Sequence, residues 1–175
     1  MKIIAFMLML LSAVTMFAEA VPANNNMFIN GDFSEGLKGW RFENKAIAVM
    51  PDMKFNGKAV VKLPANSEIR QNFTIKPDTD YILTYYIKAE NVKSPAPRNK
   101  GIRFMLNANK KWLRATPLAH GGCVTGTTDW LKGEFRFNST KELNGGGKLT
   151  IKLVIDCEGV CYVSDVRLQE VTVQK

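Results

Sequence analysis

The chain has 175 residues, and 24 lysines and arginines against 16 acidic residues give it a net charge of +8 and an isoelectric point near 9.5. The basic residues are scattered, with no block of five or six, which argues against a nucleic-acid-binding arm. Such a charge permits an anionic partner, for example an acidic polysaccharide, while the alternative is a generally basic soluble protein.

The first twenty residues have the three parts of a secretory signal peptide. Lys2 supplies a positive start, residues 3–16 are uncharged and mostly apolar, and Ala18-Glu19-Ala20 is a small-x-small cleavage site. An apolar run of roughly 14 residues is too short to span a bilayer, which requires about 20. We therefore predict cleavage after Ala20 and a secreted or periplasmic protein. A flexible lead-in is expected over residues 21–27, followed by a single domain over residues 28–175.

Strand patterns fill the rest of the chain. Apolar and polar residues alternate within 81–87, 102–107, 131–137 and 148–155, with many β-branched and aromatic side chains. Turn-forming sequences such as Asn56-Gly57 and Gly145-Gly146-Gly147 separate these runs, and residues 93–100, with two prolines, are predicted to form a surface excursion. No window has the apolar period of a substantial helix. The pattern predicts an all-β fold, an antiparallel β-sandwich or jelly roll.

Three cysteines, Cys123, Cys157 and Cys161, would enter an oxidising compartment, where at most one internal disulfide can form. Cys157 and Cys161 are closest in sequence, but strand alternation gives them opposite parity. A Cys157–Cys161 disulfide and a disulfide that involves Cys123 are therefore both possible from the sequence. The remaining thiol could form a disulfide with a protein partner. Three sulfurs and one remote histidine, His120, lack the spacing of a zinc site.

Four motifs follow one another in an order found in a known group of modules: Asn30-Gly31-Asp32-Phe33 with Gly39-Trp40, residues 71–81, Thr127-Thr128-Asp129-Trp130 with 133–135, and residues 162–168. Together they resemble carbohydrate-binding modules of the family 4, 9 and 22 type, which are galactose-binding-domain-like β-sandwiches. The resemblance implies an exported, non-catalytic domain that binds a polysaccharide. It is more specific for the fold than for a ligand.

The resemblance also implies a structural calcium ion, for which Asp32 and Asp165 are the best candidate ligands. Two positions depart from the pattern: Ser34 follows Phe33 where the modules carry glutamate, and Ser164 replaces the first of two closing aspartates. Calcium prefers several hard oxygen ligands, usually including carboxylates. The alternative is that Asp32 and Asp165 are turn and edge residues.

Trp112 is the candidate stacking residue for a sugar. It lies in the polar, basic stretch 109–114, so we expect it to be partly exposed, and an exposed ring offers a sugar apolar area at low entropic cost. Trp40 is expected mostly in the core, and Trp130 is expected to anchor the start of a strand.

Three polar candidates accompany Trp112. Tyr86, Arg103 and Asn107 have the opposite parity to the predicted core residues, and their side chains offer directional hydrogen bonds. If the strands that hold Tyr86 and Arg103 are neighbours, these residues form one outer patch together with Thr84 and Met105. The alternative is a packed or an ordinary solvated face.

The sequence predicts no enzyme. No motif pairs two carboxylates for glycoside hydrolysis, and the Gly-x-Ser-x-Gly and His-Glu-x-x-His motifs are absent. The main alternative is a secreted structural or protein-interaction β-sandwich, and a polysaccharide lyase is a distant third. Exposure of Trp112 or Tyr86 on a binding face distinguishes a glycan binder from a structural domain.

Overall fold

A computed structural model describes residues 21–22, 25–96, 100–118 and 122–172. The predicted signal peptide and His120 lie outside these residues. The strands in chain order are β1 Val21–Pro22, β2 Arg41–Phe42, β3 Ala48–Phe55, β4 Lys58–Pro64, β5 Ser67–Ile75, β6 Asp80–Lys93, β7 Ile102–Ala108, β8 Lys111–Ala115, β9 Leu131–Asn138, β10 Gly147–Ile155 and β11 Glu158–Thr172. One short helix, α1 Ser139–Leu143, separates β9 from β10.

The strands form two antiparallel sheets, as the alternation predicted. Sheet I has the order β3-β4-β11-β6-β9, with β1 paired to the end of β11, and sheet II has the order β2-β5-β10-β7-β8. The all-β sandwich prediction is confirmed. No helix in the described part of the chain is long and apolar enough to cross a membrane.

The core lies between the inner faces of the two sheets. Alternate residues of β6, from Tyr81 to Ala89, are buried, and they face the buried residues of β7 and β10 such as Phe104 and Leu153. The intervening residues of these strands point outward. Period-two alternation therefore gives each sheet one apolar inner face and one polar outer face.

The chain changes sheet at most of its connections, and two of these changes bear on the sequence-based expectations. The excursion after β6 leads from sheet I to sheet II, and the turn after β10 leads back from sheet II to β11. Neither β6 with β7 nor β10 with β11 forms a hairpin. A strand pattern does not reveal such a crossover because both sheets bury alternate residues in the same way.

The N-terminal segment packs against β11. The amide of Met27 donates to the carbonyl of Leu168 at 2.8 Å, and the side chain of Asn26 donates to the carbonyl of Val166 at 3.0 Å. Together with the pairing of β1, these bonds fasten the expected lead-in to the last strand.

Candidate functional site

Trp112 stands on a fixed hairpin at the edge of sheet II. Asn109 and Lys110 connect β7 to β8, and both have positive φ, as two-residue hairpin turns of the common type require. The side-chain amide of Asn109 donates to the carbonyl of Leu143 at 3.0 Å, which ties the hairpin to α1. The side chain of Trp112 points outward, opposite Asn107, and is 56% exposed. The exposure agrees with the expectation from its polar surroundings.

A row of polar side chains continues from Trp112 across the outer face of sheet II. Its members are opposite one another in the strand registers and form what we call the Trp112 row: Trp112, Asn107, Thr150 and Asn72. Within the row, Thr150 Oγ1 donates to Asn72 Oδ1 at 2.9 Å, and Asn107 Nδ2 donates to the carbonyl of Lys111 at 3.1 Å. Amide groups beside an exposed indole are the kind of donors and acceptors that sugar hydroxyls require.

Lys152 lies beside the Trp112 row. It is two residues along β10 from Thr150 on the same face, and its Nζ lies 5.8 Å from the centroid of the Trp112 ring. This distance is within the usual range for a cation–π contact, so the ammonium is held near the face of the indole. Sequence reasoning missed Lys152 because it had no means to pair β10 with β7.

Arg103 lies on the same outer face, but Asp156 engages its guanidinium. Arg103 Nη1 and Nη2 donate to the two carboxylate oxygens of Asp156 at 2.6 and 2.7 Å, and the Arg103 side chain is 11% exposed. Hydrogen bonding to Asp156 raises the pKa of Arg103. Burial alone would raise the pKa of Asp156, but the bonds from Arg103 and from the Gly101 amide outweigh it and lower that pKa. Arg103 is thus a tie between β7 and the end of β10.

Tyr86 lies on the other side of the sandwich. It belongs to β6 in sheet I, whereas Arg103, Asn107 and Trp112 belong to sheet II. The expected single patch required β6 and β7 to be neighbours, and that placement is wrong because the chain changes sheets between them. Thr84 and Met105 are separated in the same way.

A cluster of aromatic side chains surrounds Tyr86. Phe55 lies 4.8 Å from Tyr86 and 4.3 Å from Trp130 between ring centroids. Trp130, just before β9, therefore belongs to an outer aromatic cluster. Trp40 is buried in the core, as expected, where it stacks on Phe28 and Phe33. Phe55 was not predicted as part of a site, because β3 has a register shift and lacks regular alternation.

The expected calcium ligands are engaged by other groups. Lys58 Nζ donates to Asp165 Oδ1 at 2.6 Å, and Arg167 donates to both oxygens of Asp165 at 2.9 and 3.0 Å. Asp32 Oδ1 accepts hydrogen bonds from the backbone amide and the hydroxyl of Ser34.

Both aspartates line a cavity of about 250 Å³, and Lys58 and Arg167, which also line it, place two positive charges there. Calcium requires six to eight oxygen ligands. Among the described residues no group of three or more acidic, histidine or cysteine side chains could hold a metal ion. The donor set at Asp32 and Asp165 therefore does not fit calcium.

All three cysteines are free and buried. Burial raises the pKa of the Cys157 thiol to about 11 and also raises those of Cys123 and Cys161. No disulfide joins them, and no thiol is exposed for a link to a partner. Neither of the two pairings that the sequence left open, Cys157 with Cys161 or one that involves Cys123, is formed.

Comparison with solved structures shows that the fold of this chain is similar to that of carbohydrate-binding modules. One similar structure is a family 16 carbohydrate-binding module, with 20% identity, 82% of this chain and 99% of that chain covered, and a TM-score of 0.60. A second is a family 61 module in complex with β-1,4-galactotriose, with 20% identity, coverage of 82% and 97%, and a TM-score of 0.52. A third is the xylan-binding family 22 module of Xyn10C from Paenibacillus barcinonensis, with 13% identity, coverage of 78% and 88%, and a TM-score of 0.53.

No protein-family model and no curated protein matches the chain. The carbohydrate-binding-module type of β-sandwich that the four motifs indicated is confirmed as the fold of this chain.

Proposed function

We propose that the chain is an exported, non-catalytic carbohydrate-binding module that binds a polysaccharide on the outer face of sheet II. Trp112 would stack against a sugar ring, and Asn107 would bond the hydroxyls beside it. Structures with the same fold are named for binding to galactotriose and xylan, which supports glycan binding. The signal-peptide pattern at residues 1–20 supports export.

The observation that carries this proposal is the position of Trp112. The exposed large hydrophobic residues in the described part of the chain are Ile29, Phe42, Trp112 and Leu118. Ile29 and Leu118 lie outside the strands, and Phe42 is opposite the buried Ile69 and so has the inner parity of sheet II. Trp112 alone among these four stands on the outer face of a sheet, within a row of polar side chains.

Ion pairing of the nearby carboxylates supports a non-catalytic role. Glu43, Glu68 and Asp156 line one groove at the end of sheet II. Glu68 and Asp156 form ion pairs at 3.0 Å or less with cations of sheet II, and Glu43 lies 3.5 Å from Arg70. A general acid for glycoside hydrolysis needs a raised pKa, and that of Asp156 is lowered.

The test is affinity electrophoresis of the mature protein through gels with neutral and anionic polysaccharides, at low and high salt. Trp112→Ala should weaken binding by about 1–3 kcal/mol, as loss of a stacking platform does, with an unchanged circular dichroism spectrum. Phe42→Ala is the matched control, because Phe42 is an exposed aromatic residue of the same sheet but has inner parity. This substitution should leave binding unchanged.

Two results would redirect the proposal. Loss of binding in Tyr86→Ala but not in Trp112→Ala would place the site on the aromatic cluster of sheet I. Absence of retardation in every gel would favour the alternative of a secreted structural or protein-interaction domain.

A further inference from the structure

A second row of side chains crosses the outer face of sheet II beside the Trp112 row. Its members are opposite one another on five strands, and we call them the cationic row: Arg41, Arg70, Lys152, Met105 and Arg114. On each shared strand the cationic row is two residues from the Trp112 row, so the two rows run side by side. Four of the five positions carry a positive charge.

The cationic row brings like charges next to one another. Like charges directly opposite each other on antiparallel strands repel, and Arg41, Arg70 and Lys152 are three consecutive cations of this kind. Glu68 compensates in part, with its oxygens 3.0 Å from Arg70 and 2.9 Å from Lys152. Glu43 lies 3.5 Å from Arg70, with its side chain 89% exposed.

The compensating carboxylate lies on the far side of the cationic row from Trp112. Glu68 is opposite Val154 on β10, two residues beyond Lys152, whereas the Trp112 row crosses β10 at Thr150. Lys152 therefore has Glu68 on one side and the polar Trp112 row on the other. The side that faces Trp112 is where an external anion would find positive charge.

One cation lies against the indole, and a second follows on the same strand. Lys152 Nζ is 5.8 Å from the ring centroid, and Arg114 follows Trp112 by two residues on the same outer face. A sugar ring against Trp112 thus brings its substituents within reach of the Lys152 ammonium, and a ligand that extends along β8 also meets Arg114. Charge-assisted bonds to a carboxylate are the strongest polar contacts available there, and a guanidinium matches a carboxylate in two-point geometry.

We infer that this face selects an acidic polysaccharide whose sugar rings carry carboxylate groups. The chain of sugars crosses the strands, its rings and hydroxyls on the Trp112 row and its carboxylates on Lys152 and Arg114. This inference rests on the proposed function, since it assigns the ligand class of the same surface.

The test compares polygalacturonate with the same polymer after reduction of its carboxyl groups, by isothermal titration calorimetry in moderate salt. The two ligands share a backbone and differ in the acid group. The wild-type protein should bind polygalacturonate at least about tenfold more tightly than the reduced polymer, because charge-assisted bonds are lost. Part of this preference should survive at high salt, which screens nonspecific charge attraction.

Lys152→Met removes the ammonium and keeps much of the side-chain length. We expect about tenfold weaker binding to polygalacturonate and a clearly smaller loss with the reduced polymer, since the reduced polymer has no carboxylate for the ammonium to bind. Lys88→Met is the matched control, because it changes the net charge equally but lies on the outer face of sheet I, opposite Tyr162. It should bind both polymers as the wild type does.

The outcomes separate the two proposals. Equal wild-type affinity for both polymers, with loss in Trp112→Ala, would overturn the acidic class and leave glycan binding intact. Equal losses of affinity in Lys152→Met and Lys88→Met would mean that only net charge causes the preference for the acidic polymer. Binding that high salt abolishes would mean the same, and either result would overturn the acidic class. Binding of neither polymer by the wild type would also overturn the acidic class, and the polysaccharide gels then decide whether glycan binding itself holds.

Discussion

Two cationic side chains stabilise Asp165 in a left-handed backbone position, with φ at 50°. Burial alone would raise the pKa of this carboxyl, but the hydrogen bonds from Arg167 and Lys58 outweigh it and lower the pKa. The carboxylate lies at a register shift of β11, next to the amide of Val166, which donates to the carbonyl of Gly31. Lys58 and Arg167 thus bring positive charge to the place where the N-terminal segment meets the last strand.

Lys58→Met should therefore destabilise the protein without creating a need for metal. We expect the free energy of unfolding to fall by about 1–2 kcal/mol, the scale of a charge-assisted hydrogen bond. Lys62→Met, four residues along the same strand, is the control and should have a smaller effect. Differential scanning calorimetry checks both, and the wild-type Tm should be the same in calcium and in EDTA. A wild-type Tm that rises with calcium would contradict this account.

The sequence pointed to Asp165 but not to Lys58, which binds it. Ser34 and Ser164 depart from the pattern that implied calcium, and these departures were the reason to doubt the ligand set. Lys58 was out of reach because it is 107 residues from Asp165 in the chain, and no local signal pairs them. Long-range contacts of this kind come from the sheet order.

At the scale of elements, the pairing of β6 with β9 depends on a glycine beneath an aromatic ring. Gly133 is opposite Tyr85 in the register, and a Cβ on Gly133 would lie 2.1 Å from the Tyr85 ring. The ring covers the inner side of the glycine and packs on Phe104 of the facing sheet, with centroids 4.3 Å apart. The two strands and the core are therefore joined through one close approach.

Gly133→Ala should force the Tyr85 ring to move. Overpacking of this kind typically costs about 1–3 kcal/mol, so the midpoint of urea unfolding should fall. The smaller side chain of Tyr85→Leu should make the glycine substitution less harmful, which a double-mutant cycle would measure. Gly122→Ala is the control, because a Cβ there meets nothing within 4 Å. Equal effects at the two glycines would show that the close contact is unimportant.

The alternation of apolar and polar residues predicted where the strands lie better than it predicted which strands pair. The periodic runs became β6, β7, β9 and β10, because burial of alternate residues leaves a direct trace in the sequence. The sheet to which each strand belongs leaves no such trace, and this is why Tyr86 was grouped with Arg103. Trp112 was identified correctly as exposed since its neighbours in the chain, and not its distant partners, determine its surroundings.

At the scale of the whole molecule, carboxylates tie separate parts of the sandwich together. Asp156 joins the end of β10 to Arg103 and to the amide of Gly101, while Asp165 joins β11 to Lys58 of β4. The pKa of each carboxyl is lowered from its ordinary value of 3.8. Stability that these groups contribute is present above that unfolded value and is lost as the pH falls through the lower folded values.

Urea unfolding between pH 7 and pH 2 should therefore show a stability that is flat down to about pH 5 and falls steeply below about pH 4. Asp156→Asn should reduce the free energy of unfolding at pH 7 by about 2 kcal/mol, because the buried Arg103 charge loses its partner. The difference from wild type should shrink toward low pH, where the wild-type carboxyl is protonated and the pair is lost in both proteins. Asp52→Asn, at an exposed position of β3, is the control for the change of charge and should run parallel to wild type. If the pH dependence of Asp156→Asn also ran parallel to that of wild type, the ion pair with Arg103 would contribute nothing to the loss of stability in acid.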